Sequence, residues 1–142
     1  MRSISRTALV THSAERMFAL VDDIETYPEF LPWCAGAEVH SRDNNIVEAT
    51  LDLQRGQLKR SFRTRNINTP GTSIDIGLVG GPFDHLAGHW QFDPLGDVGS
   101  KVSLDMEFEF SNPAVDLMFG GIFESICDSL VDAFVERANS LE

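Results

Sequence analysis

The chain has 142 residues, a formal net charge of −11 and two cysteines. That length suits one domain, residues 1–142, with a buried core and room for a cavity; the charge argues against general nucleic-acid binding, DNA included, because polyphosphate affinity comes mainly from counterion release by Lys and Arg. Cys34 and Cys127 are too few and too far apart for a disulfide framework or a zinc site, so both are expected as reduced thiols.

Residues 1–65 hold 9 of the 11 Lys and Arg and 9 of the 22 Asp and Glu, so the net acidity lies entirely beyond them. Within the balanced half, Arg55, Lys59, Arg60, Arg63 and Arg65 fall close together, a small basic patch on an acidic protein. The opening M-R-S-I-S-R-T-A-L-V is interrupted by polar residues and lacks the apolar stretch of a secretory signal, and no run reaches the roughly 18 apolar residues of a membrane span. A cytosolic location is the expectation.

Residues 3–10 suit a first strand. Ser13 caps a short helix with Glu15 in its first turn, where the dipole favours an anion, and Met17, Phe18, Leu20 and Val21 form its apolar face. The stretch D-D-I-E-T-Y can add a further turn. Next comes Y-P-E-F-L-P-W-C at 27–34, where Pro28 and Pro32 push Tyr27 and Leu31 toward extended backbone, so a stiffened, greasy loop is expected.

From about residue 36 the pattern has period two. A hairpin turning at D-N-N places Val47, Ala49, Leu51 and Leu53 on one face and Glu48, Thr50 and Asp52 on the other. K-R-S-F-R-T-R-N-I follows as a strand with Lys59, Arg63 and Arg65 opposite Phe62. Pro70-Gly71 suits a type II turn, and Gly80-Gly81-Pro82 another turn. Leu86, Gly88, Trp90 and Phe92 share one side of the next strand. In K-V-S-L-D-M-E-F-E-F, Val102, Leu104, Met106, Phe108 and Phe110 alternate without a break with polar residues, so one face is buried and the other wet.

Asn112 then caps a helix with Pro113 in its first position. Val115, Phe119, Ile122, Phe123, Ile126, Leu130 and Phe134 recur at three- and four-residue steps, opposite Asp116, Glu124, Asp128, Asp132 and Glu136. The spacing predicts one amphipathic helix of roughly 28 residues, about 42 Å long, with a solvated acidic face. Gly120-Gly121 inside it weakens the helix by roughly 1 kcal/mol per glycine relative to alanine; close packing and room for a ligand are both compatible with the pair. The element order gives an α+β domain in which a curved antiparallel sheet of about six to seven strands wraps the long helix.

Chemistry is scarce. His85 and His89 lie four residues apart in a strand, about 13 Å, too far to share a metal; His12 and His40 are expected at the surface. Cys34 has no helix N-terminus or basic neighbour to activate it and is expected as a small buried hydrophobe. Neither a phosphate-binding glycine loop nor a nucleophile elbow occurs, and no two acids form a convincing pair, so no catalytic residue and no metal site is assigned. The phenylalanines fall on or beside inward faces; most such residues make core, but a concave sheet gripping one helix also leaves an apolar interior suited to hydrophobic ligands.

The motif at 27–34 resembles the Y-P-x-F-L-P-W-C signature of the coenzyme Q-binding branch of the START-like, polyketide cyclase/dehydrase superfamily. I-S-R-T-A-L-V, T-R-N at 64–66, G-P-F-D-H-L-A-G-H-W-Q-F at 81–92 and D-M-E-F-E-F at 105–110 extend the similarity over nearly the whole chain. The resemblance implies a helix-grip fold, no required cofactor, and an isoprenoid quinone (ubiquinone) held as ligand between sheet and helix in support of respiration. By motif it assigns Tyr27, Phe30, Leu31 and Trp33 to the lip of the cavity and Trp90 and Phe92 to its wall; Phe62, Phe119, Phe123 and Ile126 are added from their predicted inward faces. It also implies a second activity, that of a ribosome association toxin binding the large ribosomal subunit. For that reading Arg55, Lys59, Arg63 and Arg65 are the candidate contact, equally suited to transient meeting of an anionic membrane surface, against the alternative of an ordinary charged sheet surface.

Overall fold

The computed structural model describes residues 1–141. Strands β1 (Arg2–Val10), β2 (Cys34–Asp43), β3 (Ile46–Arg55), β4 (Leu58–Thr69), β5 (Ser73–Gly80), β6 (Phe83–Leu95) and β7 (Gly99–Phe110) form one antiparallel sheet in the order β1-β7-β6-β5-β4-β3-β2. Helix α1 (Ala14–Asp22), a 3₁₀ turn (Ile24–Thr26) and the single turn α2 (Tyr27–Phe30) carry the chain from one sheet edge to the other. Five consecutive hairpins then bring it back to β7, beside β1. The C-terminal helix begins as α3 (Pro113–Val115), passes through a π-helical turn (Asp116–Gly120) and continues as α4 (Gly121–Ser140).

Local chemistry accounts for the turns. Asn44 and Asn45 both take left-handed backbone, φ 52° and 65°, as a two-residue hairpin requires and asparagine tolerates. Gly71 follows Pro70 with φ 71°. The alternation in β7 is realised in full, Val102, Leu104, Met106, Phe108 and Phe110 being buried and Asp105, Glu107 and Glu109 exposed.

Four expectations are corrected. The acidic helix face is not simply solvated: it lies along β1, where Arg2 meets Asp116 at 3.2 Å and Glu124 at 3.5 Å, and Arg6 meets Asp128 at 3.1 Å and Asp132 at 3.3 Å. Arg2 and Arg6 share a strand face with Ile4 and Ala8, which pack on the core, so one strand supplies both apolar and ionic contact. Pairs this exposed are screened by solvent and add little stability; they do fix the register of helix against strand.

The terminal helix is not uniformly α. Asn112 caps it, its Oδ1 accepting from Ala114 N at 2.8 Å, but the turn at Asp116–Gly120 is wider. A Cβ on Gly120 would fall 2.7 Å from both Arg2 Nε and Asp116 Oδ1, whereas one on Gly121 would meet nothing within 4 Å. Gly120 therefore makes way for the Arg2–Asp116 pair, and close packing rather than ligand space explains it.

Residues 27–34 are not loop throughout. Tyr27 is α-helical despite the proline after it, because Pro28 occupies the first turn of α2 where its missing N–H goes unused; only Leu31 is extended, at φ −101°, ψ 107°. Finally, His12 is buried rather than superficial, with Nε2 2.7 Å from Asn139 Oδ1 on the terminal helix.

Candidate functional site

The inward faces of β3 to β7 and the underside of α4 do not meet everywhere. Between them lies a cavity of about 70 Å³. Its strand side is made by Ala49 and Leu51 of β3, Phe62, Thr64 and Asn66 of β4, Ile76 of β5, Leu86 and Trp90 of β6, and Met106 of β7. Phe123, Ile126, Cys127, Leu130 and Phe134 of α4 face them, and Ile24, Tyr27 and Trp33 close one side. Among the lining residues Leu51, Ile76 and Leu130 are only half-buried. Gly88, beside Met106 in the sheet, leaves the space that the Met106 thioether occupies.

Two aromatic groups flank the cavity. At one end Phe62, Phe83, Phe108 and Phe110 surround Phe123 with centroid separations of 4.7–6.0 Å. At the other, Phe134 makes T-shaped contacts with Tyr27, Phe30 and Trp90 at centroid separations of 5.4, 5.3 and 5.5 Å. These contacts hold the walls apart. The space left is small: at about 30 Å³ per water it equals roughly two waters, against roughly 300–1,000 Å³ for pockets that enclose drug-sized ligands. A ligand larger than a few atoms therefore requires sheet and helix, or the segment 27–34, to move.

The lining carries no carboxylate, histidine, lysine or arginine. Its titratable groups are Tyr27 and Cys127, both with pKa raised by burial first and by nearby acids second, so both stay protonated. The Tyr27 hydroxyl donates to the carbonyl of Val21. Trp33 and Asn66, both lining residues, carry buried polar atoms, Nε1 and Oδ1, with no hydrogen-bond partner among the described residues. Cys34, just outside, has its thiol pushed up to about 11 by burial.

Of the residues singled out from sequence, Tyr27, Trp33, Phe62, Trp90, Phe123 and Ile126 border the cavity. The other four do not. Phe30 lies on the far side of Phe134, between that ring and Arg137. Leu31 is 1% exposed and packs in the core as the chain turns into β2. Phe92 stacks behind Trp90 and meets Phe18 of α1, and Phe119 packs its edge on Phe110. Thr64 and Asn66 also border it; they share the parity of Phe62 along β4, a signal the sequence carries, but as polar residues they do not stand out in a search for apolar inward faces. Cys127 and Phe134 follow Phe123 at helical spacing and were equally readable.

The basic patch divides. Arg63 and Arg65 both pair with Glu48 on the neighbouring strand, at 3.1 and 2.9 Å, and the hydrogen bond from Arg65 leads the effects that lower the Glu48 pKa. Arg55 and Lys59 have no ion pair among the described residues. They stand with Arg60 at the end of the β3–β4 hairpin, where Gly56 turns the chain at φ 60°.

A family model described as polyketide cyclase/dehydrase and lipid transport matches residues 10–135. A ribosome association toxin, RatA, of Vibrio cholerae is 44% identical over 141 residues, covering 99% of this chain and 98% of the relative. The mitochondrial coenzyme Q-binding protein COQ10 of Drosophila melanogaster is 27% identical over 96% of this chain and 58% of its own length. Among solved structures, TTHA0849 from Thermus thermophilus superposes with a TM-score of 0.84 at 18% identity, over 99% of both chains. The Zhui aromatase/cyclase from Streptomyces gives 0.84 at 16%, over 97% of this chain and 93% of that one; at these identities the likeness concerns the fold alone.

Proposed function

The chain belongs to the polyketide cyclase/dehydrase and lipid transport family, and from that premise we propose that it is a cytoplasmic binding domain that holds the apolar part of a neutral lipid, an isoprenoid quinone such as ubiquinone, between sheet and helix. The observation that carries this is the uncharged, largely apolar cavity under α4. Binding rather than catalysis is favoured because no acid–base pair faces that space. Enclosing roughly 500 Å² of apolar ligand surface would contribute about 12 kcal/mol before ordering costs, enough to leave micromolar affinity after about 4 kcal/mol of them. The name of the Drosophila relative supports a quinone as the ligand class, and a quinone would be collected at a membrane surface. Protein purified under native conditions should carry an isoprenoid quinone detectable by mass spectrometry. Protein that is repeatedly empty and also fails to take up added quinone would overturn the proposal.

A second reading has its own observation: the unpaired Arg55 and Lys59, with Arg60, at the tip of a hairpin, in a chain 44% identical to a ribosome association toxin. In that reading the hairpin tip contacts the large ribosomal subunit. Overproduction should then deplete assembled ribosomes in sucrose gradients, and replacing Arg55 and Lys59 by glutamate should restore them. Gradients that stay depleted in the double variant would remove the tip from the contact.

A further inference from the structure

Five buried side-chain polar atoms lack a partner among the described residues, and two of them, Trp33 Nε1 and Asn66 Oδ1, belong to residues that line the cavity. Both side chains are more than nine-tenths buried. Leaving such groups desolvated and unpaired is destabilising, and native proteins rarely do so without reason. They sit on different elements, Trp33 at the entry to β2 and Asn66 on β4, so their convergence on one small apolar space is a product of the fold. Thr64, two residues before Asn66 on the same face, adds a hydroxyl with no side-chain hydrogen bond among the described residues.

Resting on the lipid-binding reading, we propose that Trp33 and Asn66 form a head-group subsite, selecting neutral lipids whose head carries a hydrogen-bond acceptor. The indole N–H is a donor only, so it requires an acceptor, such as a carbonyl or ether oxygen. The Asn66 amide can accept, or donate after rotation, and so suits a second polar atom of either kind. Nothing cationic lines the cavity to neutralise a carboxylate or phosphate, and burying an uncompensated charge is far costlier than burying a carbonyl. A bare hydrocarbon fills the space but leaves both polar atoms unpaired. The subsite thus discriminates on two sides, against charged amphiphiles and against lipids without a polar head.

The experiment compares three probes by titration calorimetry: decylubiquinone, with a neutral carbonyl-bearing head; decylbenzene, with the same tail and no acceptor; and palmitate, with a charged head. They are titrated into the wild type, Trp33→Phe and Asn66→Leu, each first checked for cooperative unfolding. The wild type should bind decylubiquinone roughly tenfold more tightly than the other two. Trp33→Phe should weaken decylubiquinone roughly 3- to 10-fold, the range of one buried hydrogen bond, while decylbenzene is unchanged or tighter. Asn66→Leu, nearly isosteric, should narrow the preference in the same direction and decides the matter if Trp33→Phe does not fold. Equal weakening of all probes in the variants would reduce both residues to shape and overturn the subsite. Equal wild-type affinity for all three would overturn the subsite but leave lipid binding standing, whereas no binding of any probe would overturn both.

Discussion

The Arg137 guanidinium lies over the ring of Phe30, 4.9 Å from its centroid. The same side chain donates to Glu29 Oε1 at 3.1 Å. Arg137 belongs to the last turns of α4 and Phe30 to α2, so this contact latches the segment that closes one side of the cavity onto the helix that roofs it. Phe30 is thus part of the closure rather than of the cavity wall.

If that segment lifts to admit a ligand, Arg137 governs how often it does so. Arg137→Met keeps the apolar stem over Phe30 and loses the charge. We expect a stability loss of at most about 1 kcal/mol, since the Glu29 end of the pair is exposed. Lipid release to acceptor vesicles, followed by stopped-flow fluorescence, should accelerate severalfold. Unchanged release would place the opening elsewhere.

Ala49 points from β3 into the cavity and is 1% exposed. Ala49→Leu should plug the space and abolish lipid retention without unfolding the protein, because the added isopropyl carbons enter an existing void rather than a filled core. Native mass spectrometry and a melting temperature within a few degrees of wild type check both halves. By contrast, Phe123→Ala, which removes a ring wedged among Phe62, Phe83 and Phe108, should cost about 3–5 kcal/mol.

The two helical glycines should respond differently to alanine. At Gly121 the new Cβ meets open space, so the gain in helix propensity, about 0.8–1 kcal/mol, should appear as a higher denaturation midpoint. At Gly120 the same gain is offset by displacing the Arg2–Asp116 pair, and the midpoint should rise less than in Gly121→Ala.

Glu48 carries the pH prediction. Its carboxyl is held below the ordinary value of 4.5 by hydrogen bonds and charge from Arg65 and Arg63. A group with a lowered folded-state pKa contributes stability above its unfolded value and loses it as pH falls through the folded one. Acid unfolding should therefore begin at higher pH in Glu48→Gln, with little change in slope near neutrality.

Much of the fold was legible because alternation and helical spacing are local. The unbroken pattern at 102–110 allows only a half-buried strand, and Asn112-Pro113 starts a helix wherever the rest of the chain lies. The cavity was legible in part: the parity of Phe62 pointed to the right face, and following it to Thr64 and Asn66 would have found the polar wall. Misreading came where a residue's partner is distant in sequence. Asp128 looked solvated because nothing near it is basic, yet Arg6 reaches it from the other end of the chain. Arg65 looked available because Glu48 sits a hairpin away.

What the residues determined alone was which faces are apolar, where the turns fall and that a sheet must close on one helix, since each of these follows from backbone periodicity. Which inward side chains touch each other and which border empty space was decided only by the tertiary structure. Phe92 and Trp90 have the same parity on one strand, but Phe18 of α1 packs on the first while Trp90 borders the void. Volume left between packed surfaces depends on how they cross, and the crossing is a property of no single segment.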